Sequence, residues 1–267
     1  MSKTVACIIA RTVSTRLPLK VLRTVAQNLS LVEYIILRLK AVNAIDDIYI
    51  CTSKNPVDDI LIDVAKKHSI KYYQGSEGEV IHRMVEVGEI SNADNLIRIT
   101  GDNVFTATEY IDKQIKLLEK NKLDYIRLVD VPIGTTAEVM TFEALKKCYK
   151  IIDRSVSEYL MLYLFEPNNF SCGIIKPFKE NFENYTLTVD TKEDLERTKE
   201  LFERFNYKRI LDVQLNELTN ILKEEKILNS TIKLNGQIKY PYGKLITFKE
   251  YIDDMNRRKK GSVAFNL

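Results

Sequence analysis

An α/β fold built on a mostly parallel central sheet flanked by helices is predicted by three features of this chain. Strand-length apolar runs alternate with amphipathic helical segments through the first half, the rhythm of βαβ units. The first run, Val5-Ala6-Cys7-Ile8-Ile9-Ala10, is apolar throughout, as strands covered on both faces are. It passes directly into a basic loop, Arg11-Thr12-Val13-Ser14-Thr15-Arg16-Leu17-Pro18-Leu19-Lys20. A loop leaving such a strand lies at the carboxyl edge of the sheet, where open α/β folds bind ligands.

The elements follow in order. Residues 4–10 read as a strand and 31–42 as an amphipathic helix. A second strand covers 47–52 and a second helix 57–68; a short strand spans 70–73. Residues 78–91 form a third helix, 95–100 a fourth strand, 107–121 a helix and 123–129 a strand. After residue 130 the rhythm changes. Ala137–Thr141 reads as a strand, Phe142–Asp153 and Val156–Leu164 as helices, and Phe170–Ile175 and Thr186–Thr188 as strands. A helix over 191–205 starts behind Asp190 or Thr191, either a good N-cap, and another covers 214–227. The last forty residues hold Gly236, Pro241 and Gly243 between short segments. Residues 1–210 are therefore expected to form the main domain. Residues 211–267 are expected to be a helical or irregular extension, a lid or a homodimer contact, with no sharp boundary before it.

With 267 residues, 45% of them hydrophobic, the chain has material for one large core. A net charge of +3 is too small for a nucleic-acid binder. The one charge run, Arg257-Arg258-Lys259-Lys260, is expected to be a solvated tail. Cys7, Cys51, Cys148 and Cys172 form no C-x-x-C pair and read as reduced core thiols. No stretch has the form of a signal peptide or a membrane span, so a cytoplasmic protein is expected.

Chemistry is concentrated in few places. The first loop gathers Arg11, Arg16 and Lys20 with the hydroxyls of Ser14 and Thr15, a composition suited to a polyphosphate. Thr100-Gly101-Asp102-Asn103 closes the fourth strand, and Asp102 there either caps the next helix or holds Mg²⁺. Asp190, in Thr188-Val189-Asp190-Thr191, is the second acidic candidate, with helix capping as its simplest reading. The Gly-rich turn around Gly75, Ser76 and Glu79 ends in a helix N-terminus able to face a nucleobase. Arg83, one turn on, pairs with Glu79 in the simplest reading. Arg98, inside a strand, needs a partner, either Asp102 or a phosphate. The two histidines, His68 and His82, have no nucleophile–base company, which disfavours a hydrolase triad.

The pattern A-R-x-x-S-T-R-L-P-x-K-V-L at residues 10–22 resembles the N-terminal loop of the cytidylyltransferases, the family that activates acidic sugars with CTP. Within it the chain is most similar to the branch typified by a spore coat polysaccharide biosynthesis protein. Thr12-Val13 replaces the usual Met-Gly, and Leu19 stands where Gly is usual. R-I-T-G-D-N at 98–103 resembles the family's metal-binding segment, with Val104 in place of Pro. Further matches are Gly75–Arg83, Gly134–Val139 and Leu187–Thr191. The resemblance implies a GT-A-like, Rossmann-type nucleotidyltransferase fold and a reaction of CTP with a small-molecule acceptor. It implies that Asp102 and Asp190 bind Mg²⁺, with Lys20 and Arg16 acting beside them. It also implies that Ala10, Arg11, Ser14, Thr15, Gly75, Ser76, Glu79, Arg83 and Arg98 line the nucleotide. Glu138, Glu158 and Tyr159 are the corresponding acceptor residues. Ser157 and Tyr159 replace the familiar Arg and His, which points to a different acceptor, one with a phosphate or phosphonate included. Two other classes stay open: a glycosyltransferase using a nucleotide sugar, for which Asp46-Asp47 lacks the spacer of an Asp-x-Asp motif, and a non-catalytic nucleotide-binding protein.

Overall fold

The computed structural model describes residues 2–152, 160–205, 210–232, 237–240 and 244–267. The chain begins with β1 (Thr4–Ile9), a small hairpin of β2 (Thr24–Ala26) and β3 (Leu29–Ser30), and α1 (Leu31–Lys40). It continues through β4 (Asp47–Ser53), α2 (Ile60–Lys67), β5 (Lys71–Gly75), α3 (Val80–Ser91), β6 (Asn95–Thr100) and α4 (Ile111–Lys120). Next come β7 (Tyr125–Leu128), β8 (Glu138–Thr141), α5 (Phe142–Ile151), α6 (Leu160–Leu164), β9 (Cys172–Lys176), α7 (Lys192–Arg204) and α8 (Leu215–Glu224). The last elements are β10 (Gln237–Lys239), β11 (Leu245–Thr247), α9 (Phe248–Lys260) and β12 (Val263–Asn266).

One eight-stranded sheet has the order β12-β9-β7-β8-β6-β1-β4-β5. Seven strands run the same way. β8 alone is reversed, pairing antiparallel with β6 and β7. The sheet divides two apolar cores, and the period-2 alternation of strands explains how. Ala6 and Ile8 of β1 face a core covered by α1, α2, α4, α7 and α8, while Val5 and Cys7 face one covered by α3, α5, α6 and Met255 of α9. This is the expected α/β architecture, a mostly parallel central sheet flanked by helices.

Up to residue 129 the expected strands and helices are all present, with ends shifted by a few residues. The small hairpin at 24–30 was not expected. Its turn residues Gln27 and Asn28 both have positive φ, the geometry of a tight two-residue turn. Two later expectations are corrected. Thr186–Thr188 is not a sheet strand: Thr186 makes a single parallel bridge to Ile133, and the segment is otherwise irregular. The C-terminal residues supply the thirteen-residue α9 and the sheet's edge strand β12, parallel to β9. Arg257–Lys260 is not a solvated tail, because Arg258 is buried within α9. The expected helix 156–164 is seen as α6 over its last five residues, and 156–159 lie outside the described residues. All four cysteines are buried and unpaired. Among the described residues no helix is long and apolar enough to cross a membrane.

Candidate active site

The loop of residues 11–20 leaves β1 at the carboxyl edge and is held by a residue the sequence did not single out. Asp58 is buried, and its carboxylate accepts from both the backbone N–H and the hydroxyl of Thr12, each at 2.6 Å. The Ser53 hydroxyl donates to the other oxygen. Burial alone would raise the Asp58 pKa; the bonds from Ser53 and Thr12 outweigh it and hold the carboxyl below its usual range. In sequence Asp58 looks like an ordinary acidic residue near a helix start, so nothing distinguished it. The loop closes through Leu19 N–H to Thr12 C=O at 3.1 Å. Leu19 has φ 55° and ψ 29°, the left-handed region that favours glycine. A Gly would adopt this turn freely, whereas Leu19 does so at a steric cost.

That turn aims Lys20 inward. Its ammonium lies 2.6 Å from Asp102 and 2.9 Å from Asp190, and its side chain is only 13% exposed. Burial would lower the Lys20 pKa, but the two carboxylates more than offset this and raise it above its usual value. Arg16 reaches the same Asp190 oxygen at 3.0 Å. Four sequence-selected residues therefore meet at one point.

Each carboxylate is fixed by its backbone. Gly101 lets the end of β6 lie against the first loop: a Cβ there would stand 3.1 Å from both Ala10 Cβ and a Val21 methyl. The Asp190 segment is tied on by Val189 N–H to Asp102 C=O at 3.1 Å. Behind it, the Asp194 carboxylate accepts from the N–H groups of Asp190 and Thr191 at 3.0 and 2.9 Å. Arg197, fully buried, donates to Asp194 and to the carbonyls of Thr188 and Asn229. Thr191, rather than Asp190, is the N-cap of α7, which leaves the Asp190 side chain to the site. Among the described residues no three His, Cys, Asp or Glu side chains cluster as a self-sufficient metal centre. Two hard carboxylates, 24% and 32% exposed, form a donor set suited to Mg²⁺ only when phosphate oxygens and waters complete it.

The Gly75–Glu79 turn lies beside the loop, with Glu77 3.9 Å from Arg11. Ser76 is exposed, and Glu79 makes no side-chain cap to α3. Ala10 is buried and its N–H reaches Cys51 C=O at 3.3 Å. Ser14 accepts from Leu17 N–H at 3.3 Å, and Thr15 is exposed at the loop's tip. Arg83 does not pair with Glu79. It is 2% exposed and donates to Cys51 C=O at 3.1 Å. Gly75 leaves room for its stem, since a Cβ there would lie 2.5 Å from Arg83 Cγ. Burial, then the nearby Arg11, lowers the Arg83 pKa below its ordinary value.

Arg98 is likewise redirected. Its partner is neither Asp102 nor free for a phosphate: it pairs with Glu138, its register neighbour on reversed β8. Tyr125 donates to the other Glu138 oxygen at 2.9 Å. The pairing was hidden in the sequence because it requires a strand inserted backwards between two others. Arg98 and Glu138 line a cavity of about 170 Å³ that also receives Asn103, Gly134 and Thr188, the flanks of the Asp102 and Asp190 segments. Glu158 and Tyr159, the other acceptor candidates, lie outside the described residues.

A sequence model of the cytidylyltransferase family matches residues 5–228. The chain is 32% identical over 221 residues to spore coat polysaccharide biosynthesis protein SpsF of Bacillus subtilis, covering 80% of this chain and 91% of that protein. It is 31% identical over 237 residues to an uncharacterised protein of Methanocaldococcus jannaschii, covering 86% and 96%. A solved cytidylyltransferase from Leptospira borgpetersenii superposes with a TM-score of 0.77 at 23% identity, covering 87% of this chain and all of that one. CMP:2-keto-3-deoxy-manno-octonic acid synthetase solved with CTP gives 0.59 at 15% identity, covering 76% of this chain and all of that one. These two likenesses bear on the fold.

Proposed function

The chain belongs to the cytidylyltransferase family, and from that premise we propose that it joins CMP from CTP to an oxygen of a small acceptor, releasing pyrophosphate, with Mg²⁺ on the triphosphate. The observation that carries this reading is the meeting of Asp102, Asp190, Arg16 and Lys20 at one point on the carboxyl edge. Asp102 and Asp190 would hold the ion, which when bound supplies charge neutralisation to phosphate oxygens. Lys20, Arg16 and Arg11 bind the β- and γ-phosphates, Lys20 turning from the carboxylates to the nucleotide as it arrives. The Ala10 backbone and the Gly75–Glu79 turn line the base, with buried Arg83 behind them. The acceptor oxygen attacks the α-phosphorus in line, and the protein's contribution is positioning and electrostatics. The acceptor is an anomeric hydroxyl of an acidic sugar, or a phosphate or phosphonate oxygen, used for surface-glycan or flagellar modification. The SpsF likeness supports the glycan setting, and we place the reaction in the cytoplasm, where CTP is made.

The rival glycosyltransferase reading gains nothing from Asp46-Asp47. Asp46 accepts from Thr4 N–H, and Asp47 pairs with Lys3 and Lys71 at the amino ends of β1 and β4. That is the opposite edge of the sheet from Lys20.

The test is nucleotide choice. CTP should raise the melting temperature more than ATP, UTP or GTP, because a mismatched base edge leaves buried groups unpaired. Pyrophosphate release should then follow on adding acceptors from a panel that includes 2-keto-3-deoxy-manno-octonic acid, its 8-phosphate and neutral hexoses. Asp102→Asn should abolish turnover with the fold intact. Equal shifts with all four nucleotides would remove the cytidylyl assignment.

A further inference from the structure

The segment that carries Asp190 is held at two ends. On the α7 side, Asp194 accepts from Asp190 N–H and is itself held by Arg197. On the other side, residues 182–189 run beside the connection 130–134. Phe182 N–H donates to Asp130 C=O at 3.1 Å, Ile133 N–H to Tyr185 C=O at 2.9 Å and Leu187 N–H to Ile133 C=O at 2.8 Å. Gly134, at φ 92°, lets the two backbones close up, since a Cβ there would stand 2.9 Å from Thr188 N. Val189 N–H then reaches Asp102 C=O at 3.1 Å. A chain of backbone contacts thus leads from Asp130 to the Asp102–Asp190 pair. It contains a single bridge and no strand ladder, so its placement depends on its anchors.

The far anchor comes from outside the matched family region, which ends at residue 228, whereas α9 spans Phe248–Lys260. Tyr251, Met255 and Lys259 of α9 line the cavity beside the Asp102 and Asp190 segments. Lys259 reaches Asp130 at 2.9 Å and Glu183 at 3.0 Å, with its side chain 11% exposed. One ammonium therefore joins the two segments where they set out. α9 gives it a firm base. Arg258 is buried and donates to the carbonyls of Leu162 and Phe165 at 2.6 and 2.5 Å, and Arg257 forks onto Glu166 at 2.9 and 2.8 Å. The two carboxylates are not equally dependent on Lys259. Asp130 has a second cation, Lys176 of β9, at 3.0 Å. Glu183 has no other ion pair among the described residues and otherwise receives Asn181 Nδ2 at 3.3 Å. Loss of the Lys259 ammonium would leave Asp130 tied to the sheet and release Glu183, so the effect falls on the segment leading to Asp190.

We propose that Lys259 is a positioning residue for Asp190: by stapling Glu183 to Asp130 it sets where the 183–190 segment comes to rest, and with it the distance of the Asp190 carboxylate from Asp102. A helix beyond the matched region thereby takes part in building the site at the carboxyl edge. This inference rests on the reading of Asp102 and Asp190 as a shared cation site.

The experiment uses the full chain with CTP, and Mn²⁺ as an EPR-visible stand-in for Mg²⁺. Lys259→Met should weaken Mn²⁺ binding to the CTP-loaded protein about tenfold, the low end of what losing a ligand's supporting contact costs. CTP affinity measured without metal should stay within about twofold, since Lys259 is tied to the Asp190 segment and not to the first loop. Lys259→Arg should recover part of the loss. Glu183→Gln, which keeps the side chain's size, should weaken Mn²⁺ in the same direction and decides the matter if the methionine variant does not fold. Asp190→Asn supplies the discriminating background, in which Asp102 and the phosphates still hold the ion. There Lys259→Met should change Mn²⁺ affinity by less than about twofold, because the effect of a residue that acts through another vanishes with its target. A merely structural role would lower both backgrounds alike. Equal losses with and without the Asp190 carboxylate would therefore overturn the proposal. So would unaltered Mn²⁺ binding in the folded staple variants, or a parallel fall in metal-free CTP affinity. A wild-type protein whose Mn²⁺ affinity is not raised by CTP, or not lowered by Asp190→Asn, would overturn it by striking the cation reading beneath it.

Discussion

Lys20 carries one positive charge against two carboxylates, and if those carboxylates hold a divalent cation, as proposed, Lys20 competes with it for them. Its removal has opposite effects on the two ligands. Lys20→Met should raise the affinity of nucleotide-free protein for Mn²⁺, used as an EPR-visible probe, by about tenfold, or about 1.4 kcal/mol. That is a fraction of what a unit charge near 3–4 Å is worth in a partly buried site. The same change should slow CTP turnover by about tenfold to a thousandfold, the scale of one lost charge-assisted contact. Mn²⁺ affinity that falls or stays constant would mean Lys20 does not compete for the carboxylates. At this scale the sequence was informative where chemistry was concentrated. Arg16, Lys20, Asp102 and Asp190 were selected because unusual residue types sat at strand ends, and the structure brings them together. Asp58, Arg197 and Lys259 were not selected. Their roles come from partners 46 residues away for Thr12, 32 for Asn229 and 129 for Asp130, which no local pattern encodes.

Helix α1 shows why elements were more legible than their junctions. Ser30 and Glu33 form a capping box: the Glu33 carboxylate accepts from Ser30 N–H at 3.0 Å, and Ser30 Oγ accepts from Glu33 N–H at 3.4 Å. Lys67 and His68, from the end of α2, reach the same carboxylate at 2.7 and 3.1 Å. Burial would raise the Glu33 pKa, but the bonds from Lys67 and Ser30 prevail and bring it from 4.5 to about 2. A carboxyl depressed on folding stabilises fully above its unfolded value and loses that contribution as pH falls toward its folded value. Glu33→Gln should therefore lower stability at pH 7 and flatten the acid limb between pH 4.5 and 2, read as urea midpoints across that range. An unchanged slope with the same loss at every pH would show that the carboxyl's charge is not what matters. Cap signals and apolar periodicity are local, so α1, α7 and the early βαβ units could be read directly. Thr186–Thr188 misled because its β-type composition serves one bridge and a hydrogen-bonded loop rather than a ladder.

Across the whole molecule the two ends of the chain serve two halves of one cleft. The first loop meets Asp102 and Asp190 on one side, and α9, beyond the family-matched region, walls the cavity beside them. Arg257–Lys260 looked like a solvated run because four adjacent cations usually are one. On a helix, however, they point in different directions, and Arg258 and Lys259 turn inward. Arg258→Met should cost about 3 kcal/mol, the penalty for breaking a buried charge network, and lower Tm by roughly 6–10 °C. Lys260→Met should stay within about 0.5 kcal/mol. Calorimetric melts of the two variants would check this, and equal melting temperatures would return the quartet to the solvent.

The tie between Lys20 and Asp190 joins residues 170 positions apart. A chain made at about 5–20 residues per second lengthens by that span in roughly ten to thirty seconds. Throughout that interval the first loop exists without the carboxylate that completes it. The Lys20–Asp190 cluster is consequently a late event in the life of each new molecule, whatever the speed at which β1 and its neighbours have already found one another.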